Sequence, residues 1–173
     1  IKFNEDEIEE ICNALGYKHK SIKDQAQFIS NHTAAQTICV TLGKDGALLL
    51  HKGIFYTQKG YPAEVVDTVG AGDSFLGTLL SLFLQEKDPK EALGKACAVG
   101  ALVAQKKGAN PEITEKNVYY YTRIFSDTIR NTKKYKKVYE MCKEYNKNTY
   151  SKLCNFYEKE YFYMEDIVNN NQK

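Results

Sequence analysis

The last third of this 173-residue sequence lacks the residues that end helices and form turns. All 11 glycines and all 3 prolines lie at or before Pro111, whereas 10 of the 13 tyrosines lie after Glu115. Residues 1–114 carry 12 basic and 14 acidic side chains (net −2), and residues 115–173 carry 12 and 8 (net +4). We therefore predict two parts, a folded domain over residues 1–114 and a Lys/Tyr/Asn-rich helical extension over residues 115–173.

Membrane segments, export signals and cysteine frameworks are also missing. No apolar run approaches the roughly 18 residues of a membrane span, and the first residues lack the basic and apolar stretches of a signal peptide. The cysteines are odd in number and widely spaced, without a C-x-x-C pair, which argues against a zinc site or a disulfide framework. They are Cys12, Cys39, Cys97, Cys142 and Cys154. These absences predict a protein of the reducing cytoplasm with no membrane partner.

Two common phosphate-binding motifs are absent, yet a glycine-rich corner follows Val65 and Val66. Gly70 and Gly72 are not followed by the third glycine of G-x-G-x-x-G, and the G-K-[ST] of a P-loop does not occur. Residues 75–84 are apolar with the period of a helix. Glycines allow a ligand close to the backbone, and the free N–H groups of a first helical turn favour an anion. We predict a strand ending at the valines, a tight turn, and a helix whose start binds an anion.

Asp73 lies in that first turn, where its charge would repel a phosphate. A carboxylate beside a phosphate can accept the proton of an attacking hydroxyl, as phosphoryl transfer requires. The alternative is an ordinary acid that stabilises the start of a helix, and the spacing fits both interpretations equally well. The catalytic interpretation requires Asp73 to be exposed and residues 70–72 to face open space.

Residues 67–75 read D-T-V-G-A-G-D-S-F and resemble, without a gap, the second signature of the PfkB carbohydrate kinases, also called the ribokinase family. Three more segments resemble motifs of the family and occur in the same order along the chain. Residues 4–7 resemble its N-x-x-E motif, and residues 41–46 resemble its T-x-G-x-x-G nucleotide loop. Residues 107–111 resemble the segment that closes the nucleotide site. The resemblance is greatest to bacterial fructokinases. It implies an α/β fold, the C-terminal part of a ribokinase-like three-layer α/β/α sandwich, followed by the helical extension.

The resemblance implies a transferase that uses ATP to phosphorylate a sugar hydroxyl, with fructose converted to fructose 6-phosphate. The implied catalytic groups are Asp73 as the base and the main-chain N–H groups of Gly70, Ala71 and Gly72. The implied nucleotide contacts are Thr41, Gly43 and Gly46 in the loop, with Cys97 and Gly100 on a later helix. Core packing would equally explain Cys97 and Gly100.

The resemblance also implies two metal sites. Asn4 and Glu7 match residues that order Mg²⁺, largely through water, which suits a cation that retains part of its hydration shell. From spacing alone, the same pair fits a helix capping box. The Asp67 carboxylate and the Val69 carbonyl match a site for a monovalent cation such as K⁺, and the sequence leaves a potassium requirement open.

The first half of the family pattern, with the sugar pocket, lid strands and di-glycine signature, does not match any part of this sequence. We therefore expect an exposed sheet edge and keep two alternatives open. In one, the chain is a truncated nucleotide-binding protein that needs a partner chain carrying the missing N-terminal half, or a homo-oligomer. In the other, the tail is a helical interaction module.

Local patterns predict the remaining elements. Strands are expected at residues 1–3, 37–41, 47–50 and 54–56, and helices after Asn4, Ser21 and Asp88. Apolar residues recurring every three or four positions beyond residue 118 predict two or three amphipathic helices, with a disordered end at residues 169–173. The lysines at 133, 134, 136 and 137 could contact RNA, but the interspersed acids favour a solvated face, and we predict no nucleic-acid partner.

Overall fold

The computed structural model describes residues 1–18 and 21–124. Contacts divide the chain into a compact unit, Ile1–Thr122, and a second unit, Arg123–Lys173. Beyond residue 124, the predicted tail helices, the lysine cluster and the disordered end lie outside the described residues and stay predictions. The elements are β1 (Lys2–Asn4), α1 (Glu5–Ala14), α2 (Ile22–His32), β2 (Thr37–Thr41), a 3₁₀ turn (Gly43–Asp45), β3 (Gly46–His51), β4 (Ile54–Lys59), α3 (Ala71–Leu84), α4 (Pro89–Ala104) and α5 (Glu115–Ile124).

The four strands of the described part form one mixed sheet in the order β1-β2-β3-β4. β1 and β2 are parallel, and the β2–β3 and β3–β4 pairs are antiparallel. Asn4 pairs with Thr41, and Gly46 pairs with Lys59. These four residues mark one end of the sheet, called the upper end here, where β1 and β2 finish. Ligand sites of open α/β sheets are found beyond the carboxyl ends of parallel strands.

Helices cover both faces of this sheet. On one face, Ile8 and Cys12 of α1 and Ala26 and Ile29 of α2 pack in a buried cluster with apolar residues of β1, β2 and β3. On the other face, α3 and α4 pack in a second cluster with residues of β2 and β3. Successive strand residues point to opposite faces, so the sheet supplies both clusters. The predicted three-layer α/β/α arrangement is confirmed.

The capping signals in the sequence set the starts of α1 and α4. Asn4 Oδ1 accepts the N–H of Glu7 at 2.8 Å, and Glu7 Oε2 accepts the N–H of Asn4 at 2.6 Å, which completes a capping box. Asp88 Oδ1 accepts the N–H groups of Lys90 and Glu91, each at 3.0 Å. These bonds satisfy donors that the helices themselves leave unpaired.

The strand predicted before the glycine corner is wrong. Val65 and Val66 are 61% and 62% exposed, and the chain around them is irregular. The N–H of Val66 donates to the carbonyl of Ala104, at the end of α4, at 2.8 Å. The β-propensity of two valines therefore produces no strand, because their backbone meets a helix end instead of another strand.

Among the described residues, no helix combines the length and the apolar character that a membrane crossing needs.

Candidate active site

The glycine corner lies toward the upper end of the sheet. Near the C-terminal end of α3, the ring centroid of Phe83 lies 5.1 Å from that of His51. His51 is the last residue of β3 and lies at the opposite, lower end of the sheet. Near its start, Phe75 belongs to the same buried cluster as Ala47, which pairs with Thr41 at the upper end. α3 therefore runs from the upper to the lower end, and its first turn lies on the side where β1 and β2 finish.

The two glycines of the corner have different surroundings. Gly70 has φ +79° and ψ −8°, the left-handed conformation, and immediately precedes α3. A Cβ at Gly70 would overlap the carbonyl of Ala109, so the corner and the chain after α4 are in direct contact. A Cβ at Gly72 would meet no atom within 4 Å. The position that a Cβ would take at Gly72 is therefore open, whereas at Gly70 it is filled by Ala109.

The first turn of α3 offers unpaired donors. The N–H of Ala71 reaches the carbonyl of Thr68 at 3.2 Å, and the N–H of Ser74 reaches the carbonyl of Gly70 at 2.9 Å. Within the described part of the chain, the N–H groups of Gly70, Gly72 and Asp73 have no such acceptor. Sequence reasoning missed the main-chain N–H of Asp73 as a candidate donor, although its position in the first turn would have indicated it.

The side chain of Asp73 is exposed, in the same turn as these donors. A catalytic base must reach its substrate from solvent or from a cleft, so a closed interior position would have excluded this role. Asp73 is exposed and Gly72 borders open space, whereas Gly70 lies against Ala109, so the condition on residues 70–72 is met only in part.

Asp67 holds the corner against the end of α4. Its Oδ1 accepts the N–H of Val69 and its Oδ2 accepts the N–H of Gly108, both at 3.0 Å. Both hydrogen bonds lower the pKa of Asp67, and the one from Val69 has the larger effect. Desolvation raises the pKa by a smaller amount. Each carboxylate oxygen keeps a second lone pair. A potassium ion held by Asp67 and the Val69 carbonyl stays a prediction.

Asn4 and Glu7 lie at the upper end as a closed capping box, so the structural interpretation of this motif is confirmed. The Glu7 side chain is 51% exposed and has a second oxygen, Oε1, outside that box. No group of three or more His, Cys, Asp or Glu residues suited to a metal occurs in residues 1–18 and 21–124. The pair nevertheless fits Mg²⁺, which commonly takes one or two protein groups, several waters and phosphate oxygens.

The predicted nucleotide loop also lies at the upper end. Gly43 has φ +52° and open space around it, whereas a Cβ at Gly46, at φ +108°, would overlap the carbonyl of Gln58. A Cβ at Gly60 would overlap the carbonyl of Lys44, a contact that the sequence did not reveal. Thr41 Oγ1 donates to the carbonyl of Phe3 at 3.3 Å. Gly46 and Gly60 therefore fix the loop, and Gly43 leaves it accessible.

The two predicted nucleotide contacts on α4 lie against α3 and the sheet. Cys97 is 8% exposed within the second core cluster, and burial raises its pKa to about 12. A Cβ at Gly100 would lie 3.3 Å from the carbonyl of Ala71 and 3.6 Å from Cβ of Phe75. Gly100 thus lies beside the corner and Cys97 lies in the core. A nucleotide contact from either residue stays a prediction.

Tyr121, on α5, supports the segment that leads to the corner. It is 2% exposed, its hydroxyl donates to the carbonyl of Pro62, and that hydroxyl accepts from Nε2 of Gln105 at 2.9 Å. Its ring centroid lies 5.6 Å from that of Tyr61. Burial raises the pKa of Tyr121. The apolar period around residue 121 indicated a helix, but not this contact.

The sequence also matches the model of a known protein family, and this match, together with the geometry, defines the class of protein. The model of the pfkB family carbohydrate kinases matches residues 1–117, and the chain belongs to this family.

Individual relatives agree with this class. The chain is 33% identical over 120 residues to "Fructokinase-2" of Solanum habrochaites, a match that covers 65% of this chain and 35% of the relative. It is 33% identical over 89 residues to "Ribokinase" of Haemophilus influenzae, covering 51% and 29%. The chain therefore spans about a third of the length of these curated relatives.

Solved structures show the same fold. Ribokinase from Thermotoga maritima matches with a TM-score of 0.63 and 25% identity, over 70% of this chain and 41% of that one. Fructokinase from Vibrio cholerae O395 in its fructose, ADP and calcium ion bound form matches with a TM-score of 0.59 and 29% identity, over 70% and 40%. The predicted ribokinase-like fold is confirmed.

Proposed function

We propose that this chain carries the nucleotide-binding and catalytic part of an ATP-dependent sugar kinase that converts fructose to fructose 6-phosphate. One observation carries the proposal. The exposed carboxylate of Asp73 lies in the same helical turn as the unpaired N–H groups of Gly70 and Gly72, toward the end of the sheet where β1 and β2 finish. A base beside an anion-binding backbone is what phosphoryl transfer to a hydroxyl needs.

In the proposed reaction, Asp73 accepts the proton of the primary hydroxyl of the sugar. The hydroxyl oxygen forms a bond to the γ-phosphorus of ATP, the bond from that phosphorus to the bridging oxygen breaks, and ADP leaves with the electron pair. The N–H groups of Gly70, Ala71 and Gly72 stabilise the charge on the transferred phosphoryl oxygens. The donor of Ala71 is already shared with Thr68 and contributes least.

The remaining groups would position the nucleotide. ATP would lie along the loop of Thr41, Gly43 and Gly46, with Gly100 beside the corner and Cys97 beneath. Asn4 and Glu7 would order Mg²⁺ through water, and the metal would neutralise phosphate charge. Asp67 and the Val69 carbonyl would hold K⁺ if the enzyme uses it. The cytoplasm would suit such a kinase, since Cys39 and Cys97 are free thiols.

The identity of the sugar as fructose is the most specific part of the proposal. Its support is the name fructokinase among the relatives, whereas others are named ribokinase or 2-dehydro-3-deoxygalactonokinase. A panel of fructose, ribose, ketodeoxy sugar acids and nucleosides, with ADP release as the readout, tests it. Turnover with another sugar and none with fructose would contradict the substrate but retain the kinase.

The decisive variant for catalysis is Asp73→Asn. We expect it to lower turnover by roughly 100-fold or more, because general-base catalysis is lost, while ATP binding stays close to that of the wild type. Asp24→Asn is the matched control, because Asp24 is also an acid in the first turn of a helix, α2. Equal effects of the two substitutions on turnover would reduce Asp73 to an ordinary helix-start acid.

A second candidate is a nucleotide-binding protein that is inactive without a partner chain supplying the sugar pocket, or that forms homo-oligomers. The exposed leucines of α3, Leu80 at 52% and Leu84 at 87%, favour it, since such apolar surface is typical of an interface. Mixing the chain with ATP, magnesium and fructose, alongside a nucleotide titration, separates the candidates. Binding without ADP release supports the second. A tail that acts as an interaction module would be ruled out if removing the residues after Glu115 leaves all association intact.

A further inference from the structure

Gly60 lies in direct contact with the nucleotide loop, residues 41–46. A Cβ at Gly60 would overlap the carbonyl oxygen of Lys44 and lie 3.2 Å from the main-chain nitrogen of Gly46. The φ of Gly60 is negative, so its backbone conformation does not require a glycine. The need for glycine therefore comes from the contact alone, and a side chain at this position would displace the loop.

The nucleotide loop is closed by its own hydrogen bonds. The N–H of Leu42 donates to the carbonyl of Gly46 at 2.8 Å, and the N–H of Asp45 donates to the carbonyl of Leu42 at 2.9 Å. Lys44 lies inside this turn, directly after the accessible Gly43. Because the turn is closed, a displacement of the Lys44 carbonyl would also move Gly43.

The sheet alone does not fix the chain beyond β4. The ladder between β3 and β4 ends at Lys59, and residues 60–65 belong to no strand or helix. Pro62 restricts Tyr61 to extended backbone conformations, so these two residues form a stiff pair directly before the chain turns toward the glycine corner. Contacts with other elements must therefore hold this pair in place.

Tyr121 of α5 holds both residues of the pair. Its ring centroid lies 5.6 Å from that of Tyr61, and its hydroxyl donates to the carbonyl of Pro62. The same hydroxyl accepts from Nε2 of Gln105 at 2.9 Å, and that nitrogen also donates to the carbonyl of Ala101 at 3.1 Å. The hydroxyl of the buried Tyr121 is thus anchored to the end of α4.

We propose that Tyr121 is a positioning residue of the kinase site, which sets the affinity of the nucleotide loop for Mg·ATP without touching the nucleotide. The inference rests on the proposed function, because it takes ATP as the ligand of the loop. The hydroxyl of Tyr121 fixes the carbonyl of Pro62, and the stiff pair limits where Gly60 can lie. Gly60 in turn sets the position of the Lys44 carbonyl and of the accessible Gly43.

The test measures the affinity for Mg·ATP and the opening of the loop. Mg·ATP is titrated against the full chain as wild type, Tyr121→Phe, Gly60→Ala and the double variant. The amide hydrogen exchange of Leu42 and Asp45, whose N–H groups close the loop, is measured without ligand. Phenylalanine keeps the ring beside Tyr61 and removes only the hydroxyl.

Each substitution has a matched control. Tyr119→Phe removes a hydroxyl from an exposed tyrosine of the same helix. Gly53→Ala acts at the other end of the β3–β4 hairpin, where φ is +80° and a Cβ would meet no atom within 4 Å. Alanine there strains the hairpin without contacting the nucleotide loop.

We expect Tyr121→Phe to weaken Mg·ATP binding by about 3- to 10-fold, within the range for one neutral hydrogen bond. The amides of Leu42 and Asp45 should exchange faster, because the loop opens more often. Gly60→Ala should lose at least as much affinity. The double variant should lose little more than Gly60→Ala alone, since both substitutions act through the same loop.

Both control variants should bind Mg·ATP within about twofold of the wild type. A lowered unfolding midpoint in Tyr121→Phe, with unchanged Mg·ATP affinity and unchanged exchange of the loop amides, would mean a purely structural role. That result would overturn the inference and leave the proposed function intact. Equal losses of affinity in Tyr121→Phe and Gly53→Ala would overturn it as well, because general destabilisation would then explain both. A wild-type chain that binds no Mg·ATP would overturn the inference and the proposed function together.

Discussion

At the scale of single residues, the three glycines in and before α3 allow stability to be separated from activity. Gly70→Ala should destabilise the fold, because the left-handed conformation costs about 1–2 kcal/mol for an L-residue and the methyl would overlap Ala109. Gly72→Ala should leave stability equal or higher, yet lower turnover, since its methyl would occupy the space proposed for the phosphate. Urea unfolding and ADP release measure the two effects.

Gly77→Ala is the matched control for this series. Gly77 lies in the middle of α3 with no atom within 4 Å of its missing Cβ. Alanine there should stabilise the chain by about 0.5–1 kcal/mol through helix propensity and leave turnover unchanged. If Gly72→Ala behaves like Gly77→Ala in both measurements, the corner is not the phosphate site.

Asp67 predicts a pH dependence of stability. Its pKa in the folded state lies below the ordinary value near 4, so the carboxylate favours folding above that pH. The contribution is lost as pH falls through the folded pKa, where protonation removes one acceptor. Asp67→Asn should lower the free energy of unfolding at pH 6, and the difference from wild type should shrink toward pH 3. Urea titrations at both pH values measure this difference in the free energy of unfolding. A difference that does not change with pH would contradict a stabilising role of the Asp67 carboxylate.

The residue-level features differ in how far sequence predicts them. Asp73 and Gly72 lie in one contiguous motif, so their place in the first turn of α3 followed from a local pattern, whereas their exposure was only a condition that the sequence set. The bond from Gly108 to Asp67 joins residues 41 positions apart, and the contact between Gly60 and Lys44 depends on how β3 and β4 pair. Long-range contacts of the backbone leave no periodic signal in the sequence.

At the scale of elements, the helix starts show which capping signals take effect. Asp88 accepts two main-chain N–H groups at the start of α4, whereas Ser21 precedes α2 without a side-chain capping bond. Asp88→Ala should therefore lower the free energy of unfolding by about 1 kcal/mol, and Ser21→Ala by much less. Thermal or urea unfolding of the two variants checks this, and equal losses would contradict the geometry.

Elements were predictable where their signals are local. The strands of the hairpin follow from short apolar runs, the starts of α1 and α4 follow from capping and proline placement, and all are found. The strand at Val65 and Val66 was not found, because propensity gives no information about whether a neighbouring strand is available. The hydrogen bond from the Tyr121 hydroxyl to the Pro62 carbonyl likewise depends on the tertiary arrangement of α5 and is not encoded in a nearby motif.

At the scale of the whole molecule, the outward face of α3 should govern association. Leu80 and Leu84 are one turn apart and exposed, while Leu79 on the same helix is 2% exposed. The double substitution Leu80→Gln/Leu84→Gln should reduce self-association or binding of a partner chain, because it removes apolar surface. Its free energy of unfolding should stay within about 0.5 kcal/mol of the wild type, as is usual for exposed positions.

Sedimentation velocity over a range of protein concentrations measures the association. Leu79→Gln is the contrast, since burying an amide in the core should cost several kcal/mol without acting on the outer face. A double variant that associates as strongly as the wild type would show that this face is not used.

The contacts of Gly70 with Ala109 and of Asp67 with Gly108 connect two distant parts of the chain. Segments tied by both a steric contact and a hydrogen bond should shift as one body. Lengthening the turn after α4 by a single residue would therefore misalign the proposed base with its phosphate, even though the inserted residue would touch neither. Grafting the D-T-V-G-A-G-D-S-F stretch into another scaffold would need the turn at residues 105–110 to accompany it.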